Sequence, residues 1–129
     1  MKNALLASVM LLAGYGIGVM ASADTPVRLD NLLRADLEVA QDVEVIVSIV
    51  EIGPNIELPK HHHPGEEFVY LLEGEATVWQ QGKDDTLMRP GDLFKVPFEQ
   101  VHTAITGDRA AKALVFRVHR KGMPERILE

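Results

Sequence analysis

The sequence predicts a single all-β domain, either a small antiparallel β-barrel or a sandwich. Four glycines divide the middle of the chain at intervals of nine, eight and nine residues, an interval typical of short antiparallel strands joined by tight turns; they are Gly65, Gly74, Gly82 and Gly91. The predicted strands are rich in β-branched and aromatic residues, and no proline falls inside them. A length of 129 residues fits one domain.

Four segments are predicted to be strands, namely Val43–Ile52 and residues 68–72, 76–79 and 112–119. In the last segment apolar and polar side chains alternate, so that Leu114 and Phe116 share one face while Arg117 and His119 share the other. We expect Phe116, together with Trp79, to anchor the hydrophobic core.

Connecting segments follow from turn chemistry. Residues 30–37 fit either a strand or a helical turn, residues 36–42 fit a loop, and the chain after His119 fits an edge or an arm. Two turns, at residues 63–66 and 89–92, each have proline in the second position and glycine in the third. This pattern predicts type II turns in which the glycine has a positive φ.

The first 23 residues have the features of an export signal. Lys2 is the only charge, residues 4–20 are uncharged and mostly apolar, and Ala21-Ser22-Ala23 offers small residues where a signal peptidase cleaves. We predict a cleaved signal peptide at 1–23, a mature domain at 24–129, a periplasmic or secreted location, and no stable membrane insertion after cleavage. The alternative is an uncleaved membrane anchor.

Composition limits the chemistry that the chain can perform. The net charge is −6 and the pI is near 5.3, so the positive surface of a nucleic-acid-binding protein is missing and we expect no nucleic-acid partner. The sequence contains no cysteine, which excludes disulfides, thiolate metal sites and thiol catalysis. Any chemistry must therefore come from histidines, carboxylates, hydroxyls or a bound ion.

Histidines and acids cluster at two places in the sequence. Because strand residues two positions apart point to the same face, His61 and His63 project together, and the turn after them brings Glu66 or Glu67 beside them. His102 opens another strand after a loop marked by Pro97. Three imidazoles and one carboxylate suit one divalent ion such as Mn, Fe, Co, Ni, Cu or Zn. Four protein ligands leave up to two positions on a six-coordinate ion for water, dioxygen or a substrate.

These residues resemble the two motifs of the cupin superfamily. The run from His61 to Gly74 matches the first motif, H-x-H-x3-E-x6-G, and Gly91, Pro97 and His102 match the second motif. The resemblance implies a double-sheet jelly roll, a homodimer, and a metal site formed by His61, His63, Glu67 and His102. Three positions depart from the motifs: seven residues rather than five separate Gly53 from His61, Glu99 replaces a glycine, and Thr106 replaces an asparagine.

The neighbours of these residues have simpler predicted roles. His62 and Glu66 have the wrong parity and are expected to point away from the site. His119 is expected to be a hydrogen-bonded residue of an edge strand. If Glu67 points inward, so do its neighbours two and four positions along the strand, and the site then borders a small apolar cavity with one hydroxyl, that of Thr106.

Two classes of function remain open on the sequence. The first is a metal-dependent oxidoreductase, similar to the small dioxygenases of the cupin group, in which Glu67 also accepts a substrate proton and is thus catalytic. The second is a non-catalytic periplasmic binding or accessory protein that uses the same ion to hold a small molecule. An isomerase, epimerase or decarboxylase is a further option, because fold resemblance alone assigns no reaction.

Overall fold

The computed structural model describes residues 26–129, so the predicted signal peptide at 1–23 lies outside the described residues. The described chain forms ten strands, in order β1 Val27–Asp36, β2 Val43–Ile52, β3 His61–His62, β4 Gly65–Glu73, β5 Ala76–Gln80, β6 Thr86–Met88, β7 Leu93–Val96, β8 His102–Ile105, β9 Ala111–Arg120 and β10 Ile127–Leu128. Within this range there is no helix with the length and apolar character needed to cross a membrane.

The strands form two five-stranded sheets with antiparallel pairing. One sheet has the order β1-β2-β9-β4-β7 and the other the order β10-β3-β8-β5-β6. Buried apolar side chains from both sheets form the core, in the manner expected for sheets that pack face to face; they include Val50, Leu71, Val78, Met88 and Val115. The predicted all-β class and the small double-sheet jelly roll are confirmed.

The predicted strands all exist, and the ambiguous segments are now defined. Strand β2 has the predicted bounds, and residues 30–37 belong almost entirely to strand β1 rather than to a helical turn. Residues 37–42 form the loop between β1 and β2. The C-terminal arm ends in β10, which pairs with β3 at the edge of the second sheet.

The inner face of β9 is the opposite of the predicted one. Phe116 is 41% exposed on the outer face, where its ring lies 6.3 Å from that of Phe68, whereas Arg117 and His119 are buried. The reason is the register, since β9 lies between β2 and β4 and places Arg117 opposite Glu67. The predictions that Phe116 and Trp79 anchor the core are wrong. Trp79 is only partly buried, and the Lys60 ammonium lies 4.2 Å from its ring centroid.

The two predicted Pro-Gly turns differ in the structure. Gly91 has a φ of +94°, and the Asp92 amide donates to the Arg89 carbonyl over 2.9 Å, so the second turn is confirmed. Gly65 instead begins β4 without a positive φ, and the first turn prediction is wrong. A Cβ at position 65 would lie 1.8 Å from the carbonyl oxygen of Val118. Glycine is therefore required here by the close approach of β4 to β9.

Two departures from the sequence motifs have structural counterparts. Glu99 has a φ of 55°, so a non-glycine residue adopts the left-handed conformation that a glycine adopts most readily. The Thr106 hydroxyl donates to the Gly53 carbonyl over 2.6 Å and accepts from the Ile56 amide over 3.0 Å. Thr106 thus ties the loop that starts at Gly53 to the end of β8.

We predict that Gly65→Ala destabilises the protein by about 1–3 kcal/mol or more, because the added methyl group must displace the β9 backbone. Gly107→Ala is the matched control, since a Cβ there has no neighbour within 4 Å and its φ is not positive. Urea unfolding of both variants measures the difference. Equal free energies of unfolding for the two variants would contradict this explanation of Gly65.

Candidate metal centre

Three histidines meet between the two sheets. Strand β3 supplies His61, His63 follows directly after it, and His102 begins β8, where it pairs with His61. The ring centroids lie 4.4 to 5.2 Å apart, and all three side chains are buried. One ring nitrogen from each of them lies within 4.8 Å of the others, a spacing that fits a single shared metal ion. His61 and His63 converge as the strand alternation predicts.

Each of these imidazoles is fixed by a hydrogen bond to a main-chain carbonyl. The Nδ1 atoms of His61, His63 and His102 lie 2.7, 2.6 and 2.9 Å from the carbonyl oxygens of Pro59, Glu125 and Gln100 respectively. A carbonyl accepts only from N–H, so each Nδ1 bears a proton, and the neutral form of each imidazole has its lone pair on Nε2. Histidines that bind metals in proteins have this arrangement.

Glu67 lies beside the histidine cluster on strand β4, with 7% of its surface exposed. Its Oε2 atom is 3.0 Å from Nε2 of His63, and its Oε1 atom is 3.5 Å from Nε2 of His102. The structure therefore brings together the four residues that the sequence predicts as metal ligands. Their roles as ligands remain predictions.

Arg117 is part of this site, and the sequence interpretation missed it. Its Nε donates to Oε2 of Glu67 over 2.8 Å, and its Nη1 donates to the Ser48 hydroxyl over 3.2 Å. Both side chains of the ion pair are buried. The alternation in β9 contains the signal, since it separates Arg117 from Phe116, but the face that carries Phe116 is the outer one.

The charges of the site are set by burial and by these contacts. Burial alone raises the pKa of Glu67, but the neighbouring imidazoles of His102 and His63 and the charge of Arg117 outweigh it and hold that pKa well below its usual range. Burial lowers the pKa of His61 to about 4. The site thus presents a carboxylate and a neutral His61 imidazole at neutral pH. A carboxyl group held in its ionised form is suited to bind a cation and poorly suited to accept a substrate proton.

The residues fit a divalent metal ion. The Nε2 atom of His63 is buried and has no hydrogen-bond partner, although Oε2 of Glu67 lies 3.0 Å away. A buried nitrogen lone pair without a donor is unfavourable unless a cation or a proton occupies the space in front of it. Three imidazole nitrogens and one carboxylate, with no sulfur, match the donor preferences of borderline divalent ions.

The histidines and Glu67 border a cavity of about 460 Å³ between the sheets. This volume lies within the range of about 300–1,000 Å³ that is usual for small-molecule sites. As predicted, most of the wall is apolar, formed by residues such as Val50, Leu71, Val78, Met88 and Val115. The predicted hydroxyl of Thr106 does not line it, because that hydroxyl binds the Gly53 loop.

Neighbouring polar residues lie away from the histidine cluster, with one exception. His62 contacts the Glu129 carboxylate and Glu66 pairs with Lys95, so both point outward as predicted. His119 is 1% exposed on a central strand, and its ring stacks at 5.2 Å on that of His63. Its Nε2 has no hydrogen-bond partner, so the prediction of a hydrogen-bonded edge residue is wrong.

The double-sheet fold and the histidine site define a small β-barrel protein with a buried histidine cluster that could hold a metal ion. Residues 48–117 match the family model for the cupin domain. The chain belongs to the cupin family.

Relatives within this family have different activities. The chain is 34% identical over 86 residues to 3-hydroxyanthranilate 3,4-dioxygenase from Burkholderia lata, covering 64% of this chain and 49% of that protein. It is 34% identical over 67 residues to dimethylsulfoniopropionate lyase DddQ from Ruegeria pomeroyi, covering 52% of this chain and 33% of that protein. The chain therefore spans about half or less of the length of these curated relatives.

Solved structures support the same fold. The crystal structure of the DMSP lyase DddQ from Ruegeria pomeroyi superposes with a TM-score of 0.68 and 26% identity, covering 86% of this chain and 56% of that one. A cupin superfamily protein from Desulfitobacterium hafniense superposes with a TM-score of 0.63 and 18% identity, covering 76% of this chain and 82% of that one. The second likeness concerns the fold alone.

We predict that the metal-free protein loses stability as the pH falls from about 6.5 to 4. Burial lowers the pKa of both His61 and His119 to about 4, whereas the unfolded chain protonates these histidines near 6.5. In this window the unfolded state binds more protons, so acid favours unfolding. Urea unfolding in the presence of a chelator measures the effect, and His119→Phe should make the pH dependence shallower. A free energy of unfolding that stays constant over this window would contradict the prediction.

Proposed function

We propose that this protein binds one divalent metal ion through His61, His63, His102 and Glu67 and acts on a small molecule in the adjoining cavity. The observation that supports this most strongly is the set of three Nδ1–carbonyl hydrogen bonds, which direct three Nε2 lone pairs to one place. The ion is Mn, Fe, Co, Ni, Cu or Zn, since all of these accept imidazole and carboxylate ligands.

The ion, when bound, supplies a Lewis acid and, if it is redox-active, a centre for dioxygen chemistry. The residues of the chain then have separate tasks. The three imidazoles hold the ion, Arg117 keeps Glu67 ionised and oriented, and the apolar wall excludes water from the ligand. These tasks together describe a site for a small molecule that contacts the ion with a polar group and the wall with an apolar body.

The activity that we propose is that of a dioxygenase-type oxidoreductase. The 34% identity to 3-hydroxyanthranilate 3,4-dioxygenase supports this choice, although the match covers about half of that protein. The ionised Glu67 also supports it, because a carboxylate held by Arg117 is a weak proton acceptor and disfavours reactions that need a protein base. The catalytic role of Glu67 as a base remains a prediction, and the ion pair weighs against it.

The second candidate is a non-catalytic binding or accessory protein. The same Arg117–Glu67 pair favours it, because a site without a free proton acceptor can hold a small molecule without converting it.

We also propose that residues 1–23 direct export and are removed, so that the mature chain acts in the periplasm or outside the cell as a homodimer. Mass spectrometry and light scattering of the protein recovered from an exporting host measure the cleavage and the oligomeric state.

Metal binding is the first test. Protein purified without a histidine tag is expected to contain about one divalent ion per chain, measured by elemental analysis. His63→Ala should lower the metal affinity at least about tenfold, because even outer partners of metal ligands contribute that much. His62→Ala is the matched control, since this neighbouring imidazole contacts Glu129 and points away from the cluster.

Metal affinity should also decrease as the pH falls towards about 4, the value to which burial lowers the pKa of His61, because a protonated imidazole has no lone pair to donate. Metal affinity that stays constant between about pH 7 and pH 3.5, or a His62→Ala variant as impaired as His63→Ala, would contradict the proposed site.

Oxygen consumption separates the two candidate functions. We expect the Mn-, Fe-, Ni- or Cu-loaded protein to consume dioxygen with at least one member of a panel of catechols, aminophenols and flavonols, measured with an oxygen electrode. His102→Ala should abolish this uptake, while His62→Ala should not. Tight binding of panel members without oxygen uptake by any metal form would favour the binding protein.

A further inference from the structure

At the buried end of the cavity, Arg117 and the proposed metal ion would share one carboxylate, that of Glu67. Arg117 is 4% exposed and Glu67 is 7% exposed, and the two are joined by a 2.8 Å hydrogen bond. A divalent ion at the proposed site would share that same carboxylate, while the imidazoles bring no charge. This step rests on the proposed metal site. The loaded site therefore has an excess of positive charge.

The charged side chains around the two further charged residues that line the cavity, Glu125 and Arg126, add no net formal charge. Arg34 contacts the carboxylates of both Glu44 and Glu125, at 2.5 Å in the case of Glu44. Arg126 lines the mouth of the cavity and is exposed. The formal charges of these two acids and two arginines sum to zero, so this group leaves the charge around Arg117 unchanged.

The rest of the wall supplies no compensating charge. Its apolar side chains come from both sheets, and the Thr103 hydroxyl, which also borders the cavity, donates to the Leu58 carbonyl over 2.6 Å. A buried excess charge in surroundings of low polarity is unfavourable unless a counter-charge accompanies it. The missing counter-charge must then come from the ligand.

The guanidinium of Arg117 is held rigidly. Its Nη1 donates to the hydroxyl of Ser48, which is fully buried and itself donates to Oδ1 of Asn31 over 2.6 Å. Strands β1, β2 and β9 therefore fix the position of this charge before a ligand arrives. A charge that is fixed in advance favours an anion without the cost of reorganising the side chain.

We propose that Arg117 determines the ligand specificity of this cavity by selecting a small anion, such as a carboxylate or phenolate, that carries an apolar body. The charged group of the ligand lies at the Arg117 end, and its body contacts the wall near Leu71 and Met88. A cavity of about 460 Å³ accommodates a body the size of one aromatic ring.

The test compares benzoate with benzamide, which have the same shape but differ in charge. Calorimetry with the fully Co(II)-loaded chain is expected to show tighter binding of benzoate. Arg117→Met should weaken benzoate binding about ten- to hundred-fold, as expected for the loss of a charged partner. Benzamide binding should change by no more than about twofold. Arg109→Met is the matched control, because Arg109 pairs with Glu75 on the exposed surface.

Two further variants keep the test decisive. Arg117→Lys retains the charge and should keep most of the preference for benzoate. Arg117→Gln removes the charge but keeps an amide that can donate a hydrogen bond to Glu67 or Ser48, the two partners of Arg117. It replaces Arg117→Met if that variant does not fold, and it should also lose the preference for benzoate.

Metal content, measured first, separates the possible failures. If the wild type binds the ion but does not prefer benzoate, or if Arg117→Met and Arg117→Gln retain the preference, Arg117 does not select anions and the proposed metal site still stands. If the wild type binds no ion, the proposed function fails and this inference fails with it.

Discussion

The site depends on the three hydrogen bonds that hold the Nδ1 atoms of His61, His63 and His102. The carbonyl partners come from three separate segments: the loop before β3, the loop before β8 and the C-terminal arm. The arm is held in place because β10 pairs with β3. The three Nε2 lone pairs therefore point to one place only when the whole described domain is folded. The histidine motif alone does not create the site.

The charge of the site depends on how closely two strands approach. Because Gly65 has no side chain, the β9 backbone can lie against the start of β4, and the register then places Arg117 opposite Glu67. The buried ion pair would be costly if either partner were missing. A packing requirement at one glycine is thus linked through strand register to the electrostatics of the proposed metal site.

Strand positions and the histidine cluster could be predicted because both follow from local spacing. The bounds of β2 and the shared face of His61 and His63 follow from periodicity alone. Alternation in β9, by contrast, identifies two faces without showing which is inside, and the outer face carries Phe116. Likewise, glycine at position 65 could indicate either a positive φ or a close approach of strands, and only the tertiary contact distinguishes them.

The Arg117–Glu67 pair also limits the chemistry of the cavity. A general base works best when its pKa lies near the operating pH, whereas Arg117 and the neighbouring imidazoles hold the pKa of Glu67 well below its usual range. A bound cation would stabilise the carboxylate further. Glu125, the other carboxylate that lines the cavity, is paired with Arg34. Reactions that remove a proton from carbon are thus poorly served by the described residues, while coordination of an already anionic ligand needs no protein base.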